Sequence, residues 1–215
     1  YALDIDSGNI LWSKNNTAPF NSQLKIHKDK FFIIDYENTL KAYTIKDGNE
    51  IWKIKTENAL IRSQKKLSMV LVEDKIYFNN SSGDISSVNI ETGELLWQTP
   101  TQSSLVYEEN FFLKTSEIIA DNNSLYFSNN KNQFFSLNIQ TGALNWEQKI
   151  NSSLRPTLID DYIFTVSLEG YLFVIDKDSG NIIRVTDAFK NFKIKKINKI
   201  KPTGFIIGNN NVYLT

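Results

Sequence analysis

Hydrophobic and polar positions alternate with a period of two in five short stretches of the chain, each ending at a glycine. Residues five and three positions before each glycine are apolar, apart from Lys177, and their neighbours are mostly small or polar. The glycines are Gly8, Gly48, Gly93, Gly142 and Gly180. This alternation is typical of a strand with one buried face, and glycine takes the positive φ of a hairpin turn. The pattern therefore predicts five strand–turn units.

A short apolar run follows each turn, as in ILW at 10–12 and LLW at 95–97. Four of these runs end in tryptophan: Trp12, Trp52, Trp97 and Trp146. Arg184 occupies the equivalent position of the fifth run. Because the runs are apolar at consecutive positions, we expect these strands to be covered on both faces. We expect one indole per unit to wedge each sheet against its neighbour, which makes the glycines and tryptophans structural repeat positions.

One internal distance of the repeat is constant. An aromatic residue lies 16 positions before each of the last four turn glycines, although neighbouring glycines are 38 to 49 positions apart. These aromatic residues are Phe32, Tyr77, Tyr126 and Phe164. A rigid unit joined by loops of different length gives this result, and each unit has room for four short strands. The repeat predicts an all-β fold, a β-propeller of four-stranded antiparallel blades.

Composition excludes several classes of function. Lys+Arg and Asp+Glu number 24 each, so the net charge of zero gives no reason to expect nucleic-acid binding. The chain has no cysteine, which excludes disulfides and thiolate chemistry, and His27 is its only histidine, which excludes a histidine cluster or a Ser-His-Asp triad. No apolar run is long enough for a membrane helix.

Two kinds of charged segment remain, and we expect both to be solvated. The acidic pairs Glu108–Glu109 and Asp160–Asp161 adjoin apolar strand runs, which is typical of turns. The segment 190–201 holds six lysines, but its isoleucines form no clean amphipathic face. We interpret it as a connection between blades.

The sequence YALDIDSGNILW at 1–12 resembles the repeat of the pyrroloquinoline-quinone (PQQ) propeller superfamily. Two branches of that superfamily compete. In the PQQ-dependent alcohol and sugar dehydrogenases, the resemblance implies a general-base carboxylate beside a Ca²⁺-held quinone. The alcohol dehydrogenases typically carry a vicinal cysteine pair, which this chain lacks. This enzyme branch stays open as the alternative.

The second branch is the lipoprotein subunit of the outer-membrane β-barrel assembly (BAM) machinery of Gram-negative bacteria, which is similar to this chain over 151–183. That resemblance implies a non-catalytic periplasmic scaffold without a cofactor or metal, held at the outer membrane by a lipid anchor upstream of this chain. It also implies contact with the periplasmic domains of the central barrel subunit. The matching loop is NALIRSQKK at 58–66, with Leu60, Ile61 and Arg62 as partner-binding residues. Alternatively, Leu60 and Ile61 belong to a strand and pack inward.

The spacing also predicts how the repeat is divided. The next turn glycine after Tyr213 would lie beyond Thr215, and the aromatic partner of Gly8 would precede Tyr1. Because the resembling families have seven or eight blades, we expect a sector of four to five blades with its ends apart. The expected boundaries within this single propeller region are partial blades at 1–13 and 187–215 and complete blades at 14–56, 57–99, 100–150 and 151–186.

Overall fold

The computed structural model describes residues 1–56, 66–102, 113–191, 200–209 and 211–215. Within these ranges every regular element is a β-strand. The chain divides into two compact units, Tyr1–Phe111 and Phe112–Thr215. Each unit contains two four-stranded sheets and one two-stranded hairpin.

Unit 1 begins with the N-terminal hairpin, which is followed by sheet 1 and sheet 2. The N-terminal hairpin consists of β1 (Ala2–Leu3) and β2 (Ile10–Trp12). Sheet 1 contains β3 (Lys25–His27), β4 (Lys30–Ile34), β5 (Thr39–Thr44) and β6 (Glu50–Lys55). Sheet 2 contains β7 (Met69–Val72), β8 (Lys75–Asn79), β9 (Ile85–Asn89) and β10 (Leu95–Thr99).

Unit 2 contains sheet 3, sheet 4 and the C-terminal hairpin. Sheet 3 contains β11 (Ile119–Ala120), β12 (Ser124–Asn129), β13 (Gln133–Asn138) and β14 (Leu144–Gln148). Sheet 4 contains β15 (Thr157–Ile159), β16 (Tyr162–Val166), β17 (Tyr171–Asp176) and β18 (Ile182–Asp187). The C-terminal hairpin consists of β19 (Phe205–Gly208) and β20 (Asn211–Leu214).

Strands that follow one another in sequence lie side by side and antiparallel in all four sheets. This arrangement confirms the predicted unit of four antiparallel strands. The aromatic residues that precede the turn glycines by 16 positions all lie in the second strand of a sheet, in β4, β8, β12 and β16. Phe32, Tyr77 and Tyr126 are buried there and belong to the apolar interior of their units.

The turn glycines have the conformation that only glycine adopts without strain. Their φ angles lie between 65° and 74°. Three of them contact the indole of the preceding sheet or hairpin, so that a Cβ atom would lie 2.6 Å from the ring. The contacting pairs are Trp12 with Gly48, Trp52 with Gly93 and Trp146 with Gly180.

The same three indoles also form hydrogen bonds to the turn that they cover. The ring N–H donates to the backbone oxygen three positions before the glycine, over 2.9 to 3.2 Å. The acceptors are Ile45, Ile90 and Lys177. Each junction of this kind therefore combines apolar contact with a directional bond that places one sheet against the next.

The small residues of the third strands are buried, which differs from the predicted solvated face. Ala42, Ser87 and Ser136 are each 0% exposed, and each lies directly opposite a tryptophan in the neighbouring strand. Their small size leaves space for the indole of the fourth strand. The expectation of one buried face is therefore wrong for β5, β9 and β13, because the tryptophan covers the other face.

The apolar runs of the fourth strands are not covered on both faces, and that prediction is also wrong. The strand that follows each turn glycine contains a β-bulge. In each of these strands, the residue just before the tryptophan or Arg184 has no partner in the neighbouring strand. These residues are Leu11, Ile51, Leu96, Asn145 and Ile183. The four aliphatic ones are 40 to 63% exposed. The extra residue twists the edge strand and hinders pairing with another chain.

Candidate partner-binding site

The predicted partner-binding residues Leu60, Ile61 and Arg62 lie in 57–65, outside the residues that the structure describes. This segment connects β6 of sheet 1 to β7 of sheet 2. The structure does describe both ends of the connection, at Thr56 and at 66–68. Those ends and the groups that hold them form the surroundings of the candidate site.

Thr56, at the first end, is bonded to the turn between β4 and β5. Its backbone N–H and its hydroxyl each donate to the backbone oxygen of Asn38, over 3.4 Å. Both bonds are long, so each is weaker than a typical bond of about 2.9 Å. Asn38 has a φ of 59° and is 1% exposed. Asparagine tolerates this left-handed conformation better than most residues.

The second end of the connection is buried and bonded on both sides. Leu67 is 3% exposed, and its N–H donates to the backbone oxygen of Asn21 over 2.7 Å. The next N–H, of Ser68, donates to the side-chain oxygen of Asn79 over 2.7 Å. Ser22 and Leu67 form a parallel bridge, which connects the entry to sheet 1 with the entry to sheet 2.

Asn38 also connects sheet 1 to sheet 2 through its side chain. Its Oδ1 accepts the N–H of Ser81 over 2.9 Å and the hydroxyl of Ser81 over 2.8 Å. Ser81 is 4% exposed and lies in the turn between β8 and β9. We call this pair of bonds the Asn38–Ser81 clamp. The buried Oδ1 thus accepts two hydrogen bonds, as buried polar atoms usually require. These bonds stabilise the packing of the β4–β5 turn against the β8–β9 turn.

A buried ion pair lies next to the clamp. Lys41 Nζ is 2.9 Å from Asp35 Oδ2, and it also donates to Asn16 Oδ1 over 2.7 Å. Both charged side chains are at least nine-tenths buried. Asp35 Oδ1 in addition accepts the N–H groups of Glu37 and Thr39. The carboxylate compensates the charge of Lys41, so this buried lysine is not available to an anionic partner.

The turn that contains Asn38 belongs to a second series of repeated turns, which was not predicted from the sequence. An Asp, Asn or Ser lies 13 positions before each of the last four turn glycines and accepts backbone N–H groups of its own turn. These residues are Asp35, Asn80, Asn129 and Ser167. A residue with positive φ follows three positions later: Asn38, Gly83, Asn132 or Gly170. Their constant distance of 13 positions from the turn glycines could have indicated these turns in the sequence.

The other charged groups singled out in the sequence do not form a metal site among the described residues. Asp160 and Asp161 lie in the turn between β15 and β16, where Asp161 pairs with Lys177 over 3.0 Å. Glu108, Glu109 and most of 190–201 lie outside the described residues. Nowhere in the described ranges do three or more His, Cys, Asp or Glu side chains come close enough to hold a metal ion. The described residues therefore do not supply a ligand set that fits a quinone–calcium pair.

Helices long and apolar enough to cross a membrane are absent from the described residues. His27 ends β3 and is half-buried. Arg184 is exposed on β18, opposite Val174.

Comparison with known proteins gives a consistent result. The PQQ_2 family model, described as "Outer membrane protein assembly factor BamB", matches residues 1–186. The protein of that name from Shewanella oneidensis is 24% identical in an alignment 209 residues long, which covers 85% of this chain and 50% of the relative. This chain thus spans about half the length of that curated relative.

Two solved structures illustrate the likeness of the fold. BamB from Moraxella catarrhalis has a TM-score of 0.67 at 16% identity, over 99% of this chain and 74% of that chain. A europium-containing methanol dehydrogenase has a TM-score of 0.61 at 14% identity, over 77% of this chain and 41% of that chain. At these identities the likeness concerns the fold alone. It confirms the predicted β-propeller architecture.

Proposed function

Because the chain belongs to the family described as outer membrane protein assembly factor BamB, which matches it over residues 1–186, we propose that it is a non-catalytic scaffold. It would bind protein partners during the assembly and insertion of outer-membrane β-barrel proteins. The family match is the observation that carries this proposal. A scaffold of this kind acts in the periplasm at the outer membrane, and attachment by a lipid anchor remains a prediction.

We place the principal contact at the connection 57–65. Leu60 and Ile61 would supply apolar area, and Arg62 a planar cation with several hydrogen-bond donors, a combination that is typical of interface anchors. The described ends of the connection support this proposal. One end is hydrogen-bonded to sheet 1 through Asn38, and the other is hydrogen-bonded to sheet 2 through Asn79. The partner would be the periplasmic domains of the central barrel subunit.

The test uses Arg62→Glu and the purified periplasmic domains of the barrel subunit encoded in the same genome. We expect roughly tenfold weaker binding, because an anchor arginine is replaced by a carboxylate that cannot donate. Arg184→Glu is the matched control, since it makes the same charge change on exposed β18. Equal affinities of the wild type and Arg62→Glu would remove Arg62 from the interface. No binding by the wild type would contradict the scaffold function itself.

A further inference from the structure

The N-terminal hairpin has the features of the third and fourth strands of a sheet. Its turn glycine, Gly8, has a φ of 69°, and its second strand ends in Trp12, which lies against Gly48. Ala2 lies six positions before Gly8, where sheets 1 to 3 carry the small residues Ala42, Ser87 and Ser136. Within the described residues β1 pairs with β2 alone, so its other edge can accept a further strand.

The C-terminal hairpin has the features of the first and second strands. β19 and β20 pair in the same register as β3 and β4. In both pairs of strands, the turn residue four positions before the aromatic ring has a positive φ, 49° at Asn209 and 53° at Lys28. Tyr213 thus occupies the position of the aromatic residues Phe32, Tyr77 and Tyr126. Those three residues are at most 1% exposed, whereas Tyr213 is 53% exposed.

An open apolar cavity of about 420 Å³ lies in unit 1 beside the N-terminal hairpin. Trp12, Phe31 and Tyr43 line it as a continuous stack, with ring centroids 6.0 and 5.1 Å apart. Leu24 and Ile45 of unit 1 also line the cavity, and they are 49% and 39% exposed. A contiguous exposed surface of apolar side chains is typical of a binding surface.

The equivalent surface of sheet 2 is covered. Met69 and Ile90 are the residues of sheet 2 that correspond in position to Leu24 and Ile45. They are only 3% and 1% exposed. Apolar residues of β4 and β5 belong to the same buried cluster, so the second and third strands of sheet 1 cover this surface. The cavity therefore lies where a second strand would pack against sheet 1.

We propose that the C-terminal hairpin of a second copy of this chain docks beside the N-terminal hairpin and completes a four-stranded sheet. A second copy supplies the strands, because in the structure each hairpin forms a two-stranded sheet of its own. β20 of one copy pairs antiparallel with β1 of the other. Each copy donates one hairpin and accepts one, so the contact is heterologous and joins two or more copies. This assembly does not depend on the proposed scaffold function.

The register of the complete sheets specifies the contact. In sheets 1 to 3 the aromatic residue of the second strand lies opposite the small residue six positions before the turn glycine. The same register places Tyr213 opposite Ala2. In those sheets the aromatic ring also lies 5.8 to 6.1 Å from the tryptophan ring of its own sheet. Tyr213 therefore enters the cavity and packs against Trp12 of the other copy.

Sedimentation velocity of the whole chain over a range of concentrations tests the association. We expect the wild type to form dimers or larger species at about 100 µM. Tyr213→Lys should weaken association about tenfold, because it removes the central aromatic anchor. Tyr162→Lys is the matched control, since Tyr162 is exposed on β16 where sheets 1 and 2 carry Lys30 and Lys75. A monomeric wild type, or equal association of the two variants, would overturn the inference.

Disulfide trapping tests the register with Tyr213 intact. The chain has no cysteine, so Leu3→Cys and Val212→Cys can be introduced in separate chains and mixed. The proposed register places these residues opposite each other with Cα atoms about 5.5 Å apart, within disulfide range. We expect a disulfide-linked pair of chains from this mixture. Leu144→Cys mixed with Val212→Cys is the control, because Leu144 is equally exposed but lies outside the contact.

Equal yields from the two mixtures would overturn the proposed register. A chain carrying both Leu3→Cys and Val212→Cys distinguishes joining between copies from joining within one chain. We expect it to form disulfide-linked species of two or more chains. A monomer with an internal disulfide would show that one chain joins its own hairpins, and would overturn the inference.

Discussion

Contact between a tryptophan and a turn glycine is the repeated interaction at the scale of single residues. The indole lies so close to Gly48, Gly93 and Gly180 that no Cβ atom fits there. Gly8 has a similar φ of 69°, but a Cβ atom at that position would meet nothing within 4 Å. Glycine is therefore favoured at Gly8 by backbone conformation alone. At the other three positions it is favoured both by backbone conformation and by the close contact with the indole.

Gly93→Ala and Gly8→Ala should therefore differ in stability. Gly8→Ala incurs only the left-handed conformation, at about 1–2 kcal/mol. Gly93→Ala must also displace Trp52, which is fixed by its bond to Ile90, so we expect a total of about 2–4 kcal/mol. Chemical denaturation of both variants and the wild type measures the difference. Equal losses in the two variants would show that the indole gives way without cost.

The polar residue four positions before a turn glycine makes a second residue-scale interaction, and in sheet 4 it depends on pH. Bonds from the Ser179 hydroxyl and backbone N–H lower the pKa of Asp176 below its ordinary value. A lowered carboxyl pKa means that the stabilisation is complete above the ordinary value near 4 and is lost as pH falls through the lower folded value. Asn89 and Asn138 make the equivalent bonds without a charge.

Asp176→Asn should remove this dependence on pH. We expect the wild type to lose Tm relative to Asp176→Asn as the pH is lowered from 6 to 2, because only the wild-type group becomes protonated. Thermal unfolding at several pH values, together with an NMR titration of the carboxyl carbon, provides the measurement. A difference in Tm that stays constant over this range would contradict the assignment.

Bulged fourth strands are the distinctive feature at the scale of the element. Each carries its exposed bulge residue immediately before the tryptophan or Arg184, so consecutive apolar residues point to different surroundings. In sheet 2, Leu96 is 42% exposed and unpaired in the register, whereas Trp97 lies opposite the buried Ser87. The apolar run thus combines one packing residue with exposed aliphatic ones.

Leu96→Ala should for this reason cost less stability than a substitution in the core, about 1 kcal/mol, since 42% of the Leu96 surface is already exposed to solvent. Leu40→Ala in the same unit is the matched control, because Leu40 is 0% exposed in the core around Phe32 and Phe78. We expect the control to lose about 2–5 kcal/mol. Comparable losses in denaturation experiments would mean that the bulge residues are covered.

At the scale of the whole molecule, the fold is similar both to a BamB structure and to a methanol dehydrogenase. Ca²⁺ takes six to eight oxygen ligands, and the described residues hold no cluster of three acidic or histidine side chains that could begin such a set. The likeness to a methanol dehydrogenase lies in the fold, which hosts unrelated functions.

If the proposed scaffold function is right, titration of the chain with PQQ and Ca²⁺ should give no saturable binding and no alcohol-dependent dye reduction. A PQQ-dependent alcohol dehydrogenase treated in the same way is the positive control. Isothermal titration and a dye assay supply the two readings. Saturable binding accompanied by alcohol-dependent reduction would favour the dehydrogenase alternative over the scaffold.

Much of the repeat could be predicted from the sequence, whereas the surroundings of the candidate site could not. The positions of the turns and the four-stranded antiparallel unit follow from glycine placement and spacing. The second series of turns, at Asp35, Asn80, Asn129 and Ser167, was equally regular but used varied residue types. The partner-binding role of Leu60, Ile61 and Arg62 stays a prediction.

The sequence by itself determined what depends on neighbouring residues. A positive φ favours glycine, and side chains alternate along a strand, so the positions of turns and strands can be predicted from short stretches of sequence. Only the tertiary structure decided which small residues are buried, because Ala42, Ser87 and Ser136 lie beneath an indole contributed by the adjacent strand. It also decided the clamp, since Asn38 and Ser81 are 43 positions apart and meet only when two sheets pack. Such contacts depend on the relative placement of sheets, which no local pattern of polar and apolar residues specifies.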